Sequence, residues 1–526
     1  MVSQYGIKLA TYLISASYGD FCSKVCECLL SRGTLTLMQI IRFTELSREN
    51  VVNCLRVLIH QNCVQAFSIQ QEVAFGEAPK IVTQYMALFD NVIHKMRFPK
   101  FMQIVSEELG LDCLGIFEGL LQHGRLSLNQ IIDRNKQTPD NSDVHVVQES
   151  FSILLNARLV ERCPAPEPFL APSSEEETPA KRRGTKSAKI AEAPKTIEQR
   201  ALAEATPMES IRFLMEIDPL TGASEEKGME THNVATLDEK WKQDFSDAEL
   251  SASGRKKEIL WRVNFEEFVR RLRHKACIEY VRIRLGDQSG IVLSAILELT
   301  RSSETTIKTD KSASLSINDI YDEVIKKDGG LGMDLERIRA SLVQLGCQIP
   351  TTGIDETYSI DLKKIIELAQ NEEVESVVLK RYGREAYRIF RLLSKSGSLL
   401  ETDKISDTTF VEKKDTLKIL YKLWKDGYLH MEKVSVNGPK QTLFLLWEIN
   451  KESLWVRVLD EMYHAALNLR LRITYELDQE KEILQLPKEK LIGELEKRYK
   501  RLGKVRIILE SSLMNLDGAL MLFHDF

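Results

Sequence analysis

The clearest recurring pattern of apolar and polar positions lies between residues 382 and 450. A first helix is predicted from the apolar positions Ile389 and Leu393, and a short second helix follows it. The third predicted helix carries four apolar residues on one face: Leu417, Leu420, Tyr421 and Trp424. Two strands joined by a turn at Asn437 and Gly438 complete the pattern. Helix, short strand, helix, helix and hairpin is the order of elements in a winged helix, a domain that binds nucleic acid or protein.

The same order of elements recurs three more times, so the chain contains an internal repeat. The copies lie at residues 20–70, 108–163 and about 275–362, and the third of these is the least regular because residues 305–314 enlarge a loop. In the first copy, Ser47 is predicted to cap the third helix. The chain is therefore expected to contain four winged helices in tandem.

The last seventy residues follow a different pattern. One long helix is predicted from Leu454, Pro487 interrupts it, and a second helix carries apolar residues every seven positions. These residues are the predicted seam: Leu495, Leu502, Leu509, Leu516 and Phe523. The two helices are expected to form an antiparallel coiled-coil hairpin. Apolar residues outside the seam would then be free for a larger partner, namely Ile507, Ile508, Met514 and Met521, unless they pack on the fourth winged helix instead.

Between the second and third copies, Pro, Ser, Glu and Lys dominate, and too few apolar residues are present to offset the entropy cost of ordering. This segment is predicted to be a disordered linker. It contains a basic cluster that resembles a nuclear-import signal, although such clusters often only increase solubility. Its members are Lys181, Arg182, Arg183, Lys186 and Lys189.

The predicted fold is mainly α with small β wings, a tandem array of four winged-helix domains followed by a C-terminal coiled-coil helical hairpin. The expected boundaries are winged helix 1 at 1–95, winged helix 2 at 96–163, the charged linker with a short amphipathic piece at 164–240, winged helix 3 with an enlarged loop at 241–365, winged helix 4 at 366–450 and the hairpin at 451–526. A chain of 526 residues suits several domains of ordinary size.

Composition excludes several classes of protein. The sequence contains no run of about eighteen apolar residues, so no membrane span is predicted, and no secretory signal is visible at the start. The nine cysteines lack the spacing of a metal site, so we expect structural cysteines in a reducing compartment. No phosphate-binding, hydrolase or metalloprotease motif is present, so no catalytic residue, cofactor or metal is predicted.

The net charge of -5 argues against a dedicated duplex-binding protein, because phosphate contacts require a basic excess. Any DNA contact must come from local patches, and it would be non-specific. The sequence offers three: Lys414, Lys418, Lys422 and Lys425 on the third helix of the fourth copy, a run before the third copy that includes Arg270, Arg271 and Arg273, and a basic stretch at residues 488–506. Such stripes are more often solvated helix faces than binding surfaces.

Three stretches of sequence carry a resemblance to a known family. They are Y-G-I-K-L-A-T-Y-L-I from residue 5, E-C-L-L-S-R-G-T-L-T-L-M-Q-I-I from residue 27 and D-G-Y-L at 426–429. Together with the order of domains, they resemble the winged-helix subunit of RNA polymerase III that belongs to its peripheral initiation heterotrimer. That family is related to the large subunit of TFIIE.

The resemblance implies a non-catalytic role in the nucleus. Members of the family are expected to bind the clamp of the largest polymerase subunit, two other peripheral initiation subunits and the promoter-bound initiation factor. They would thereby support initiation at 5S, tRNA and other small RNA genes. The coiled coil between Leu495 and Phe523 would be the anchor on the polymerase.

Two other functions compete with this one. A scaffold of cullin or proteasome-lid type also ends in a winged helix, but it devotes most of its length to helical repeats, whereas here the winged-helix pattern begins within the first twenty residues. A free-standing DNA-binding regulator should have basic recognition helices, and only the fourth copy has one.

Overall fold

The computed structural model describes residues 2–71, 80–136, 144–171, 196–215, 258–301, 304, 308–347, 357–436, 442–487 and 492–526. These residues form two compact units. The N-terminal unit is Leu13–Phe265, and the C-terminal unit is Met1–Tyr12 together with Glu266–Phe526. Neither the linker's basic cluster nor the turn predicted at Asn437 and Gly438 lies within the described residues.

Helices and short strands alternate in the N-terminal unit, into which the first helix of the chain continues. The helices are α1 Gln4–Tyr18, α2 Asp20–Arg32, α3 Leu37–Thr44, α4 Arg48–His60, α5 Phe89–His94, α6 Phe98–Leu109, α7 Leu111–His123, α8 Leu128–Lys136, α9 Val144–Asn156, α10 Ile197–Ala205 and α11 Glu209–Arg212. The strands are β1 Leu35–Thr36, β2 Val64–Gln71, β3 Lys80–Ala87, β4 Leu126–Ser127, β5 Val160–Arg162, β6 Phe169–Leu170 and β7 Leu260–Val263.

The first winged-helix pattern folds as its sequence predicts. The Ser47 hydroxyl accepts a hydrogen bond from the backbone N–H of Asn50, so it caps α4. Thr36 and Gln39 form a capping box at the start of α3. Strands β1, β3 and β2 pair antiparallel, with the buried faces of α2 and α4 beneath them.

The second winged-helix pattern obtains a strand from a distant part of the sequence. β7 lies between β4 and β5 and pairs antiparallel with both. Trp261 of β7 is buried, and its ring meets Phe151 of α9 edge-on at 5.3 Å between centroids. The boundary predicted at residue 241 is therefore wrong, because residues 260–263 complete the sheet of the second pattern. Local periodicity cannot show which sheet a four-residue strand joins.

The linker prediction is also wrong in part. Strand β6 extends the first sheet by pairing parallel with β2, and α10 packs on it through Ala201, which shares a buried cluster with Leu170. Helix α11 is held by an ion pair between Arg212 Nε and Glu161 Oε2, 2.5 Å apart. These segments bury small residues and form backbone and ionic contacts, so a prediction based on large apolar residues misses them.

The C-terminal unit contains the longest helices. They are α12 Phe265–Leu285, α13 Asp287–Thr300, α14 Ile317–Lys326, α15 Leu335–Gln344, α16 Leu362–Tyr382, α17 Arg384–Ser396, α18 Thr402–Thr409, α19 Lys413–Lys425, α20 Lys451–Gln479, α21 Lys481–Leu484 and α22 Glu494–His524. The strands are β8 Leu315–Ser316, β9 Thr357–Tyr358, β10 Leu400–Glu401, β11 His430–Val436 and β12 Thr442–Glu448. β8 pairs with β9, and β12 lies between β10 and β11.

One backbone turn recurs where α4, α9, α15 and α19 end. A residue with positive φ follows each helix, namely Asn62, Arg158, Gly346 and Gly427. The next backbone N–H then returns to the carbonyl five residues earlier: Cys63 to Leu58, Leu159 to Leu154, Cys347 to Leu342 and Tyr428 to Leu423, at 2.8, 3.0, 3.1 and 2.8 Å. This is the hydrogen bond of a Schellman cap. The four repeats read from sequence thus share a detail of backbone geometry.

Candidate nucleic-acid and partner interfaces

Helix α19 is the third helix of the fourth repeat, and its position is fixed at both ends. Thr416, Leu420 and Leu423 form its buried face. At its C-terminal end, the Tyr382 hydroxyl donates a hydrogen bond to Asp426 Oδ2 at 2.6 Å. Burial, and then this hydrogen bond, raise the pKa of Tyr382, so the phenol stays protonated and the contact is stable at physiological pH.

The four lysines predicted on α19 are all exposed on one side of the helix: Lys414, Lys418, Lys422 and Lys425. Lys418 Nζ lies 2.9 Å from Asp415 Oδ1, and Lys422 Nζ lies 5.3 Å from the centre of the Tyr382 ring. An exposed pair of this kind is weak, so it leaves Lys418 able to exchange Asp415 for another anion. The side chains are available to a polyanion such as DNA.

The apolar face predicted for α19 is only partly correct. Leu420 is buried and Trp424 is half-buried, but Leu417 and Tyr421 are exposed and lie among the lysines. The buried position that the prediction omitted is Leu423. Assigning every apolar residue to the core misses this mixed surface, because an exposed apolar residue and a buried one look alike in sequence.

The three arginines predicted as DNA contacts on α12 do not form a surface patch. Arg270 Nη1 donates to Glu267 Oε2 at 2.6 Å, and Arg271 Nε donates to Glu267 Oε1 at 3.0 Å. Arg273, which is buried, donates to the backbone oxygen of Thr309 at 2.6 Å. We therefore exclude these arginines from the candidate DNA surface.

Glu267 is the centre of this buried network, since Arg301 Nη2 also lies 2.8 Å from its Oε1. Burial raises the pKa of Glu267, but the hydrogen bonds from Arg301 and Arg271 outweigh burial, and the net pKa is below the usual glutamate value. The i,i+3 and i,i+4 spacing from Glu267 to Arg270 and Arg271 is the sequence signal for such pairs. These pairs neutralise the arginines inside the unit, so the basic run in the sequence does not become a basic surface.

Helices α20 and α22 pack side by side and run antiparallel. The Tyr463 hydroxyl lies 2.8 Å from His524 Nδ1 at one end, and Arg498 Nη2 lies 2.6 Å from Glu480 Oε2 near the other. The end of α22 also meets α16, where Gln370 Nε2 donates to the Leu522 carbonyl at 2.6 Å. The sequence prediction of two antiparallel helices agrees with this geometry.

The predicted seam of α22 follows the observed one for only part of its length. Leu502 is buried, but the other predicted positions, Leu495, Leu509, Leu516 and Phe523, are half-buried. The buried residues of α22 are Leu502, Leu513, Asp517, Leu520 and Met521. A straight helix drifts by about 20° per heptad from a seven-residue repeat, so a single seven-residue series leaves the buried face. Met521, predicted to be free, is buried for this reason.

Two apolar residues of α22 do face solvent as predicted. Ile507 is 68% exposed and Ile508 is 64% exposed. They lie opposite Leu502 on the helix, away from α20. Adjacent exposed isoleucines on a rigid helix form an apolar spot that a partner can cover.

Metal binding and thiol chemistry receive no support from the described residues. Among them, no group of three or more His, Cys, Asp or Glu side chains is placed to hold a metal ion. All nine cysteines are free thiols. Burial raises the pKa of Cys63 to about 11 and, together with a hydrogen bond to Cys54, that of Cys22 to about 12, so neither is a ready nucleophile. None of the described helices is long and apolar enough to span a membrane.

Comparison with known proteins gives three matching family models. The model described as RNA polymerase III subunit RPC82 matches residues 149–404, its helix-turn-helix domain matches residues 8–68, and the C-terminal winged-helix domain of POLR3C matches residues 374–449. The chain belongs to the RPC82 family of RNA polymerase III subunits. The winged helix predicted at residues 366–450 is thus confirmed as a domain of this family, and the first predicted copy matches the family's helix-turn-helix domain.

Several relatives that match this chain over most of their own length are named as subunit RPC3 of RNA polymerase III. DNA-directed RNA polymerase III subunit rpc3 of Dictyostelium discoideum is 21% identical over 99% of this chain and 100% of its own length. Subunit RPC3 of Danio rerio is 24% identical over 91% of this chain and 86% of its own, and that of Homo sapiens is 21% identical over 92% and 86%. The resemblance read from short stretches of sequence therefore extends over nearly the whole chain.

Proposed function

We propose that this chain is a non-catalytic subunit of nuclear RNA polymerase III. With two partner subunits, it supports promoter recruitment, promoter opening and transcription initiation at 5S, tRNA and other small RNA genes. The observation that carries the proposal is the similarity to RPC3 subunits over more than nine-tenths of the chain. The architecture is consistent with it, because winged helices and long helices supply docking surfaces.

The chain is proposed to consist of four winged helices and a coiled-coil hairpin. The four Schellman turns support the number of winged helices, and the antiparallel packing of α20 on α22 supports the hairpin. The hairpin is proposed to anchor the subunit on the clamp of the largest polymerase subunit. Because Leu502 is buried between the helices, we assign the anchoring contact to Ile507 and Ile508 on the outer face of α22.

Replacement of Ile507 and Ile508 by Ser tests this anchor without opening the hairpin. Full burial of an isoleucine is worth about 2 kcal/mol. Two isoleucines that are about two-thirds exposed then correspond to about 3 kcal/mol, or a hundred-fold loss of affinity for the polymerase core. Val456→Ser is the matched control, since Val456 is 65% exposed on the neighbouring α20. Equal binding by the control and the double variant would exclude the anchor.

The exposed side of α19 is proposed to contact DNA without base specificity. Its lysines are placed to neutralise phosphates, while the carboxylates of Asp415 and Asp426 keep the helix only moderately basic. Such a surface fits a subunit that the polymerase brings to DNA and that does not need to find DNA alone.

Rapid depletion of the chain from cells, followed by complementation, tests the proposed function. We expect synthesis of 5S and tRNA transcripts to fall within minutes of depletion, and permanganate reactivity of the promoter DNA to fall with it. Wild-type chain should restore both readouts. Unchanged small-RNA synthesis after complete depletion would overturn the proposal and favour a scaffold or a free-standing regulator.

A further inference from the structure

The turn between α18 and α19 presents an aromatic side chain to solvent. Phe410 is 91% exposed, more than any other large hydrophobic residue that the structure describes. Its backbone has φ +56°, in the left-handed region that favours Gly and Asn. The conformation costs free energy, and the exposed ring recovers none by burial. An unfavourable conformation combined with an exposed ring points to a contact outside the chain.

The residues on either side of Phe410 hold the turn rigid. The carbonyl of Val411 accepts hydrogen bonds from the Ser406 hydroxyl at 2.6 Å and from the Thr416 hydroxyl at 3.3 Å. The Thr409 hydroxyl donates to the Ile405 carbonyl at 2.7 Å, and all three hydroxyl-bearing side chains are buried. The backbone that carries the ring is thus fixed before any partner arrives, which lowers the entropy cost of binding.

The charges near Phe410 indicate the kind of partner. Between residues 402 and 418, four carboxylates, Asp403, Asp407, Glu412 and Asp415, balance four lysines, Lys404, Lys413, Lys414 and Lys418. Lys413 Nζ lies 3.0 Å from Asp403 Oδ2, and Lys418 is paired with Asp415. This end of the surface is electrically neutral, unlike the α19 lysines further along, Lys422 and Lys425. A polyanion bound to the α19 lysines gains nothing from the Phe410 ring itself, whereas a protein pocket with an apolar floor and charges of both signs at its rim is complementary to the ring and its neighbours.

We propose that Phe410 is the anchor of a protein–protein contact, inserting into an apolar pocket of another polymerase subunit, with Leu417 at the edge of the interface. Leu417 is exposed in the second turn of α19. Its aliphatic side chain is better suited to an apolar protein pocket than to stacking on nucleic-acid bases. An exposed aromatic on a rigid support has the character of a binding hot spot. The inference rests on the proposed function, because it places the partner within the polymerase.

The test is a titration of polymerase core, purified without this subunit, with labelled full-length chain. Phe410→Ser should weaken binding by at least ten-fold. Leu331 also lies on a turn, and its apolar side chain is 82% exposed. Leu331→Ser should therefore change the affinity for the polymerase core by less than two-fold. Equal affinities for wild type and Phe410→Ser would overturn the docking contact. If wild-type chain does not bind the core at all, the proposed function fails, and the docking contact fails with it.

Crosslinking identifies what Phe410 touches. Photoreactive benzoylphenylalanine at position 410 of the full chain, in the polymerase assembled on promoter DNA, should form a crosslink to a protein subunit. A crosslink to DNA alone, or none above that formed with the same probe at position 331, would refute the proposal. Because the complex is isolated before irradiation, failure of this contact is distinguishable from failure of the chain to assemble.

Discussion

Phe410 gives a sharp prediction about stability, because its native conformation and its exposure act in the same direction. Replacement by Asn keeps a side chain at the position but substitutes a residue that tolerates positive φ. The native ring is 91% exposed, so its removal sacrifices little buried area. Phe410→Asn should therefore stabilise the turn, in contrast to most substitutions of a large hydrophobic residue.

The size of the effect follows from the backbone. A left-handed conformation costs an ordinary residue roughly 1–2 kcal/mol, and Asn avoids part of that cost. We expect local stability to rise by about 0.5–1 kcal/mol, equivalent to about two- to five-fold slower hydrogen exchange. Phe410→Val is the opposing control: a β-branched residue is strained at positive φ, and exchange should become faster.

Hydrogen exchange of the full-length chain, followed by mass spectrometry of peptides that cover α18 and α19, measures this local stability directly. Global denaturation is less suitable for a single turn, because it reports the unfolding of a whole unit and not local opening. Faster exchange in the Asn variant than in wild type would refute the argument that the conformation of Phe410 is costly.

Three further predictions concern other parts of the molecule. Gly124→Ala should lower the free energy of unfolding of the N-terminal unit by more than about 2 kcal/mol, because Gly124 has φ +83° and a Cβ there would lie 2.3 Å from the His60 carbonyl oxygen. Gly115→Ala, in open space within α7, should instead be neutral or slightly stabilising, and calorimetry of both variants checks the contrast. Glu267→Gln should destabilise the C-terminal unit by about 3 kcal/mol, because the buried arginines lose the carboxylate that they contact. Urea unfolding measures the change, and an unchanged midpoint would show that the network is unimportant for stability. Since the pKa of Glu267 is lowered by folding, its stabilising contribution is present above the ordinary value of 4.5 and is lost as pH falls through the lower folded-state pKa, so the variant should lack that acid sensitivity. Replacing Lys414, Lys418, Lys422 and Lys425 by Ser should reduce the slope of log K against log salt for duplex DNA by up to about 3.6, by fluorescence anisotropy; an unchanged slope would remove α19 from the DNA surface.

The sequence was sufficient for features that depend on local patterns. The caps at Thr36 and Ser47 and the order of helices in each repeat follow from side-chain chemistry within a few residues of each other. The exposed isoleucines at 507 and 508 were also predictable, because they fall outside any apolar stripe.

The features that the sequence did not reveal depend on contacts between distant residues. β7 joins β4 across more than 130 residues, and no local signal names its partner strand. Whether an arginine faces solvent or Glu267 depends on how α12 packs, and the exposure of Leu417 depends on which side of α19 meets the core. Residues Lys181 to Lys189 lie outside the described residues, so their role in nuclear import stays a prediction.

Affinity purification of the tagged chain from nuclear extract, with quantitative mass spectrometry of its partners, tests the central claim most directly. The account predicts recovery of the RNA polymerase III core together with two small peripheral subunits, each in a one-to-one ratio to the tagged chain. Recovery of cullin-type or proteasome-lid components, or of the chain with chromatin but without polymerase, would contradict it.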